Sequence, residues 1–125
     1  MDRDVLARAF RAPNGKVAWL PADVGNAIDQ FEAGRTAISG GCVCLVGGRL
    51  LDFRSAEAAA ALPDTNAMTW KCERLTGETW QDYVIRSAEV ARKSARWIAE
   101  RVGLEPVPGF RLYLAISSVT EEGAA

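Results

Sequence analysis

Histidine is absent from the 125 residues of this chain. Without imidazole the chain has no Ser-His-Asp or Cys-His catalytic arrangement and no His-ligated metal site. Long hydrophobic runs are also missing, since none approaches the roughly 20 apolar residues that cross a membrane. The first residues mix charges and lead into no apolar stretch typical of an export signal. We therefore expect a cytoplasmic protein with no membrane contact.

Cysteine is scarce, with three in the chain, and neither sign of charge is in excess, with 15 Lys and Arg against 16 Asp and Glu. A net charge of −1 disfavours a nucleic-acid-binding protein, which usually carries a basic excess. The residues are 49% apolar and 25% charged, an ordinary globular mixture. The length predicts one domain over residues 1–125, with an N-terminal arm or helix in residues 1–20 and a loose tail at 121–125.

The spacing of apolar residues predicts helices over residues 2–10, from Pro21 to a stop at Gly34, and from about Trp80 to Val102. A turn signal at residues 12–15 separates the first two helices. The buried stripe of the long helix consists of Trp80, Val84, Ser87, Ala91, Ala95, Ile98 and Val102, widened by Val90 and Trp97.

Capping residues support these boundaries. Thr79 is a suitable N-cap for the long helix, with Asp82 at the capping-box position, and Gly103 ends it. A short alanine-rich helix is predicted over residues 55–62 with Ser55 as its N-cap.

Alternation of apolar and polar residues predicts strands over residues 36–46, 49–53, 68–74 and 110–116. Gly40-Gly41 inside the first strand indicates a bulge or a close backbone approach, and Gly47-Gly48 indicates a hairpin turn. Hairpin-linked strands with helices on one face define an α+β fold. We expect two layers, with a mainly antiparallel sheet of about four strands packed by helices.

Cys42 and Cys44 alternate on a strand, so both thiols point to one face, and Cys72 is expected on a neighbouring strand. Three thiols leave open reduced core cysteines, an oxidation-sensitive pair or a zinc site. The core reading is favoured because free cysteine is among the most buried residue types and the paired CxxC turns of structural zinc sites are missing. We predict no metal and no cofactor.

Acidic residues cluster where the third strand meets the long helix, namely Glu73, Glu78 and Asp82. They form a solvated loop, a pair of carboxylates for acid–base chemistry or an acidic patch that docks on a basic partner, and the solvated loop is the default. Trp19, beside a turn, is the best of the four tryptophans for an exposed binding anchor. The basic residues of the long helix favour a solvated face with ion pairs such as Asp82–Arg86 over a nucleic-acid interface.

Four short motifs of the sequence form a recognisable series: Ile38-Ser39-Gly40-Gly41, Thr69-Trp70-Lys71-Cys72-Glu73, Gly77-Glu78-Thr79-Trp80-Gln81-Asp82-Tyr83-Val84 with Arg86-Ser87, and Leu112-Tyr113-Leu114. Together they resemble the immunity protein 40 family of bacterial polymorphic toxin systems. The resemblance covers roughly residues 20–118, including the helix at 27–33. Two positions depart from the family pattern: Cys42 stands where the family tends to have an acidic residue, and Lys71 stands where it has tyrosine. The segment from Gly47 to Ala67 is also longer than usual.

The resemblance implies a non-enzymatic protein that binds and neutralises a co-encoded toxin, with no nucleic-acid or membrane partner. Glu73, Glu78 and Asp82 would then dock on a cationic toxin site, with Trp19 as an aromatic anchor. One alternative is a self-associating or regulatory module, in which the apolar strand at 110–116 pairs two copies as a homodimer. A cysteine-dependent enzyme is a further alternative, and it would need a thiol of low pKa.

Overall fold

The computed structural model describes residues 1–12 and 15–123, which form an α+β fold. The helices of these residues are α1 (Arg3–Ala7), α2 (Pro21–Ala33), α3 (Ala56–Ala61) and α4 (Trp80–Val102). Their strands are β1 (Phe10–Arg11), β2 (Val17–Trp19), β3 (Ala37–Val46), β4 (Leu50–Asp52), β5 (Thr69–Lys71) and β6 (Arg111–Val119). In this part of the chain no helix combines the length and apolar character needed to span a bilayer.

The strands form one antiparallel sheet in the order β1-β2-β6-β3-β4, and β5 pairs with β3 as well. The long strands β3 and β6 occupy its centre, so the strand predicted over residues 110–116 as an edge for pairing two copies lies instead between β2 and β3. The predicted α+β class and the mainly antiparallel sheet are confirmed. The described residues form six strands instead of about four, because the segment before α2 supplies β1 and β2.

The N-terminal segment differs from its prediction. The expected helix over residues 2–10 ends at Ala7, and Phe10 instead pairs with Ala18 across β1 and β2. A two-residue strand has too little alternation to be read locally, and its backbone hydrogen bonds depend on a partner strand further along the chain. Pro13 and Asn14 of the predicted turn lie outside the described residues, as do Ala124 and Ala125 of the predicted tail.

Side chains from all four helices join the strands in one buried cluster on the inner face of the sheet. The predicted boundaries of α2 and α4 are confirmed, and so is the buried stripe of α4 as far as Ile98, with Val102 half-buried. The hydroxyl of Ser87 within this stripe accepts a hydrogen bond from the Ile38 N–H at 2.9 Å, which ties α4 to β3. The end of α2 falls at Gly34 as predicted, although the left-handed residue there is Arg35, with φ of 57°.

Gly40 and Gly41 lie where β5 crosses close to β3. The register shifts between Ile38 and Gly40, which confirms the predicted bulge. A Cβ atom at Gly40 would lie 2.5 Å from the Trp70 carbonyl oxygen, and one at Gly41 would lie 2.3 Å from the Trp70 ring. Both predicted roles of these glycines, bulge and close approach, therefore hold.

The remaining elements lie near their predicted positions, and the last strand extends beyond residues 110–116 to Val119. Gly47-Gly48 connects β3 to β4, and the Ser55 hydroxyl caps α3. Strand β5 is shorter than residues 68–74, because Met68 ends a 3₁₀ turn. The alternation predicted there persists, with Met68 and Cys72 buried.

Candidate interaction surfaces

The first turns of α4 meet the residues after β5 in a cluster that we name the α4 corner: Cys72, Glu73, Glu78, Tyr83 and Arg86. The Arg86 guanidinium lies at its centre. It donates two parallel hydrogen bonds to the Glu78 carboxylate, at 2.7 and 2.8 Å, and another to the Glu73 carbonyl at 2.6 Å. It also lies 3.2 Å from the Cys72 sulfur, and the Tyr83 hydroxyl donates to the Cys72 carbonyl at 2.7 Å.

The hydrogen bonds of Arg86, together with the Leu75 N–H, lower the pKa of Glu78 to about 2. The same pair raises the pKa of Arg86. Only 10% of the Glu78 side chain is exposed. Its carboxylate therefore closes the loop between β5 and α4.

The three acids that the sequence groups together occupy different settings. The Glu73 and Asp82 side chains are exposed, whereas Glu78 is held by Arg86. Thr79 caps α4 as predicted, since its hydroxyl accepts the Asp82 N–H at 3.1 Å. The expected ion pair between Asp82 and Arg86 is replaced by the bidentate pair with Glu78, whose two parallel hydrogen bonds match the planar guanidinium.

Trp19 is buried, so its prediction as an exposed anchor is wrong. Its side chain is 1% exposed, and its indole N–H donates to the Val5 carbonyl at 2.8 Å. The ring meets Phe31 edge-on at 6.1 Å. Trp19 points to the inner face of β2, where α1 and α2 cover it, although in the sequence it lies beside a turn.

The most exposed tryptophan is Trp97, so the prediction that it widens the buried stripe of α4 is wrong. It is 38% exposed, and the Arg101 guanidinium lies 4.2 Å from its ring centroid. Trp97 and Trp70 line a shallow groove between α4 and β5. The predicted burial of Trp80 is confirmed, with 3% exposure and its indole N–H donating to the Arg35 carbonyl at 2.8 Å.

Cys42 and Cys44 share one face of β3 as predicted, and it is the face opposite the helices. Cys72 directly follows β5, and its N–H continues the pairing of that strand with β3 by donating to the Ser39 carbonyl, but it lies in a separate buried cluster, so the three thiols do not converge. Burial raises the pKa of Cys42, and it raises the pKa of Cys44 to about 12. Both thiols are therefore protonated at neutral pH and are poor nucleophiles.

Residues 1–12 and 15–123 contain no group of three or more cysteine or acidic side chains placed to hold a metal ion. The three cysteines are free thiols. Within these residues the thiols and carboxylates thus offer no assembled metal centre.

The face of the sheet opposite the helices carries a second candidate surface, which the sequence patterns do not predict. Its buried cluster consists of strand residues alone, among them Ala18, Cys44 and Ala115. Because directly paired residues point to the same side, the register defines the face row by row. The first row is Phe10, Ala18, Ala115, Cys42 and Thr69; the second is Tyr113, Cys44 and Asp52; the third is Arg111, Val46 and Leu50; the fourth is Ser117, Gly40 and Lys71.

We name this surface the open sheet face. Its centre is lined by small side chains, and the Phe10 and Tyr113 rings stand beside them with centroids 5.8 Å apart. The signal in the sequence is alanine and cysteine at the outward positions of strands, where long polar side chains are more usual. Recognising it requires the pairing of β1, β2 and β6.

Comparisons of this chain with family models, with curated proteins and with solved structures find no match. The resemblance to the immunity protein 40 family therefore stays a prediction that depends on the motif residues.

Proposed function

We propose that this chain is an immunity-type protein, which binds and neutralises a protein toxin encoded beside it and does not catalyse a reaction. Its place of action would be the cytoplasm of the cell that makes the toxin. The observation that supports this proposal is the position of the motif residues. The first motif, in β3, contacts both the strand motif and the helix motif, which follow it much later in the sequence and which together form the α4 corner.

The contacts between these motifs are specific. The first motif meets the helix motif through the Ile38 N–H on the Ser87 hydroxyl at 2.9 Å. It meets the strand motif through the Cys72 N–H on the Ser39 carbonyl at 2.9 Å and through Gly41 beneath Trp70. If the short sequence motifs matched the family by chance, there would be no reason to expect these contacts between them. They support a resemblance that reflects a shared way of folding.

The thiols disfavour a cysteine-dependent enzyme. Such an enzyme needs a thiolate at neutral pH, whereas burial raises the pKa values of Cys42 and Cys44. The Cys72 side chain is only 4% exposed. Binding fits these residues better than nucleophilic catalysis does.

The experiment that tests the proposal expresses the product of the adjacent reading frame with and without this chain. We expect growth arrest when that product is made alone, growth when this chain is present, and a one-to-one complex by mass. Growth arrest that persists, with this chain eluting by itself, would contradict the proposal. A chain that elutes as a dimer without the adjacent product would favour the self-associating module instead.

A further inference from the structure

The floor of the open sheet face is concave. Ala18 and Ala115 are 2% and 5% exposed, although this cluster contains no helix residue. Taller neighbours therefore shield the floor, with Phe10 and Tyr113 on one side and Asp52 on the other. The depression holds about 40 Å³. That is far below the roughly 300–1,000 Å³ of a small-molecule site, so it suits one inserted apolar side chain.

Cationic side chains surround this depression. Lys16 and Arg54 lie near Cys42, and the pairing of the strands places Lys71 and Arg111 on the same face. Among the described residues of the four rows the acid is Asp52, and Arg54 already binds it at 3.1 Å. The whole chain has a net charge of −1, so the positive excess is a property of this face.

We propose that the open sheet face is the docking surface for an acidic protein surface, which inserts one apolar side chain into the depression. This inference rests on the proposed function, because the acidic partner would be the neutralised toxin. Complementary charge at the rim would speed association, and the apolar insertion would slow dissociation. The surface of this chain that contacts the partner is thus basic, whereas the cluster of acidic residues in the sequence predicts an acidic one.

Two other occupants fit the face less well. A second copy docking by the same face in a symmetric dimer would bring like charges together. Single-stranded nucleic acid favours exposed aromatic faces on which bases stack, whereas the Phe10 and Tyr113 rings are half-buried and tilted by 54° against each other. An acidic protein matches both the charge and the size of the depression.

The first test reverses two exposed charges that bracket the depression, in the variant Lys71→Glu/Arg111→Glu. The matched control, Lys93→Glu/Arg96→Glu, makes the same charge change on α4, away from this face. Affinity for the product of the adjacent reading frame should fall by about tenfold or more in the first variant and by less than about twofold in the control. If the complex forms and both variants bind equally well, the open sheet face is not the docking surface, while the proposed function stands.

A second measurement uses Cys42 as a reporter on the face itself. The rate at which iodoacetamide alkylates Cys42 at pH 9 should fall at least about threefold when the complex forms. The variant Cys42→Ser, which lacks this thiol, is the control for labelling at other cysteines. An unchanged labelling rate in the complex overturns the inference.

If no complex forms with the adjacent product, the proposed function fails, and a synthetic probe still decides the nature of the face. The probe is a peptide in which glutamates flank one phenylalanine, and its counterpart carries lysines. Protection of Cys42 by the acidic peptide alone, weakened by 0.5 M salt, supports the inference. Protection by neither peptide overturns it. Protection of Cys42 by a single-stranded oligonucleotide alone overturns the inference in favour of a nucleic-acid partner. A concentration-dependent mass that Lys71→Glu/Arg111→Glu abolishes overturns it in favour of a second copy of this chain.

Discussion

The α4 corner and the open sheet face carry charge in opposite ways. In the α4 corner the Arg86 guanidinium meets the Glu78 carboxylate and the Glu73 carbonyl, so its charge is used inside the molecule. On the open sheet face, cations outnumber the acid Asp52 and surround an apolar depression. A cluster of charged residues in a sequence therefore does not by itself mark a binding surface, because internal pairing decides what remains for a partner.

The two regions also differ in what a substitution should change. A change in the α4 corner removes contacts that hold β5, α4 and β3 together, so it should lower stability. A change at the rim of the open sheet face should leave stability nearly unaltered and alter binding. The following predictions test that division.

The largest loss of stability is expected at Gly41. In Gly41→Val the new side chain would meet the Trp70 ring and the Ala115 carbonyl oxygen, with Cβ at 2.3 and 2.7 Å from them. Overpacking at this depth should cost about 3 kcal/mol of unfolding free energy or more. Urea denaturation measures it. The control Gly48→Ala, which meets nothing within 4 Å, should stay within about 0.5 kcal/mol of the parent chain, and equal midpoints for the two variants would contradict the prediction.

A smaller loss is expected from Arg86→Met. This change removes both Arg86 hydrogen bonds from the Glu78 carboxylate, which keeps the Leu75 N–H, and removes the Arg86 donor from the Glu73 carbonyl, so thermal unfolding should shift down by about 5–10 °C. Arg96→Met, at an exposed position on the same helix, is the matched control and should shift by less than about 2 °C. Similar shifts for both variants would mean that Arg86 does not hold the α4 corner together.

The Glu78 carboxylate makes part of this stability depend on pH. Its pKa of about 2 in the folded chain lies below the roughly 4.3 of an unfolded glutamate, so the pair stabilises the fold above about pH 5 and the contribution is lost as pH falls towards 2. The stability gap between the parent chain and Glu78→Gln should therefore be widest above pH 5 and close near pH 2. Urea midpoints from pH 2 to 7 measure this gap. Glu57→Gln, in an exposed pair with Arg49, should show a small gap throughout.

The regular elements of the fold could be predicted from the sequence because their signals are local. The helix from Trp80 to Val102 has 23 residues of consistent periodicity and a cap at Thr79, and β3 has ten residues, most of them apolar. The roles of Gly40 and Gly41 are local in the same sense, because glycine inside a strand often marks a bulge or a close backbone approach.

The missed features depend on pairing between distant residues. Strands β1 and β2 have two and three residues; β2 pairs with β6, about 100 residues later, and β1 in turn pairs with β2. The same pairing buries Trp19 and places Phe10 beside Tyr113. Likewise, the sequence does not reveal that the Glu78 carboxylate pairs with Arg86 of the same chain and is therefore not left exposed for a partner protein. The open sheet face is not visible in the sequence for the same reason, because its residues come from several paired strands and not from one strand.

The smallest effect is expected from the exposed acids of the α4 corner, and it is the sharpest test of the comparison. In Glu73→Ala/Asp82→Ala neither changed side chain carries the bidentate pair of Arg86. If the open sheet face binds the toxin, affinity should change by less than about twofold, against about tenfold for Lys71→Glu/Arg111→Glu. Titration of both variants against the same toxin measures the two effects together. A large loss of affinity for Glu73→Ala/Asp82→Ala, with none for Lys71→Glu/Arg111→Glu, would place the docking surface at the predicted acidic patch. The loss would then come from the two exposed acids, because Glu78 is already paired with Arg86.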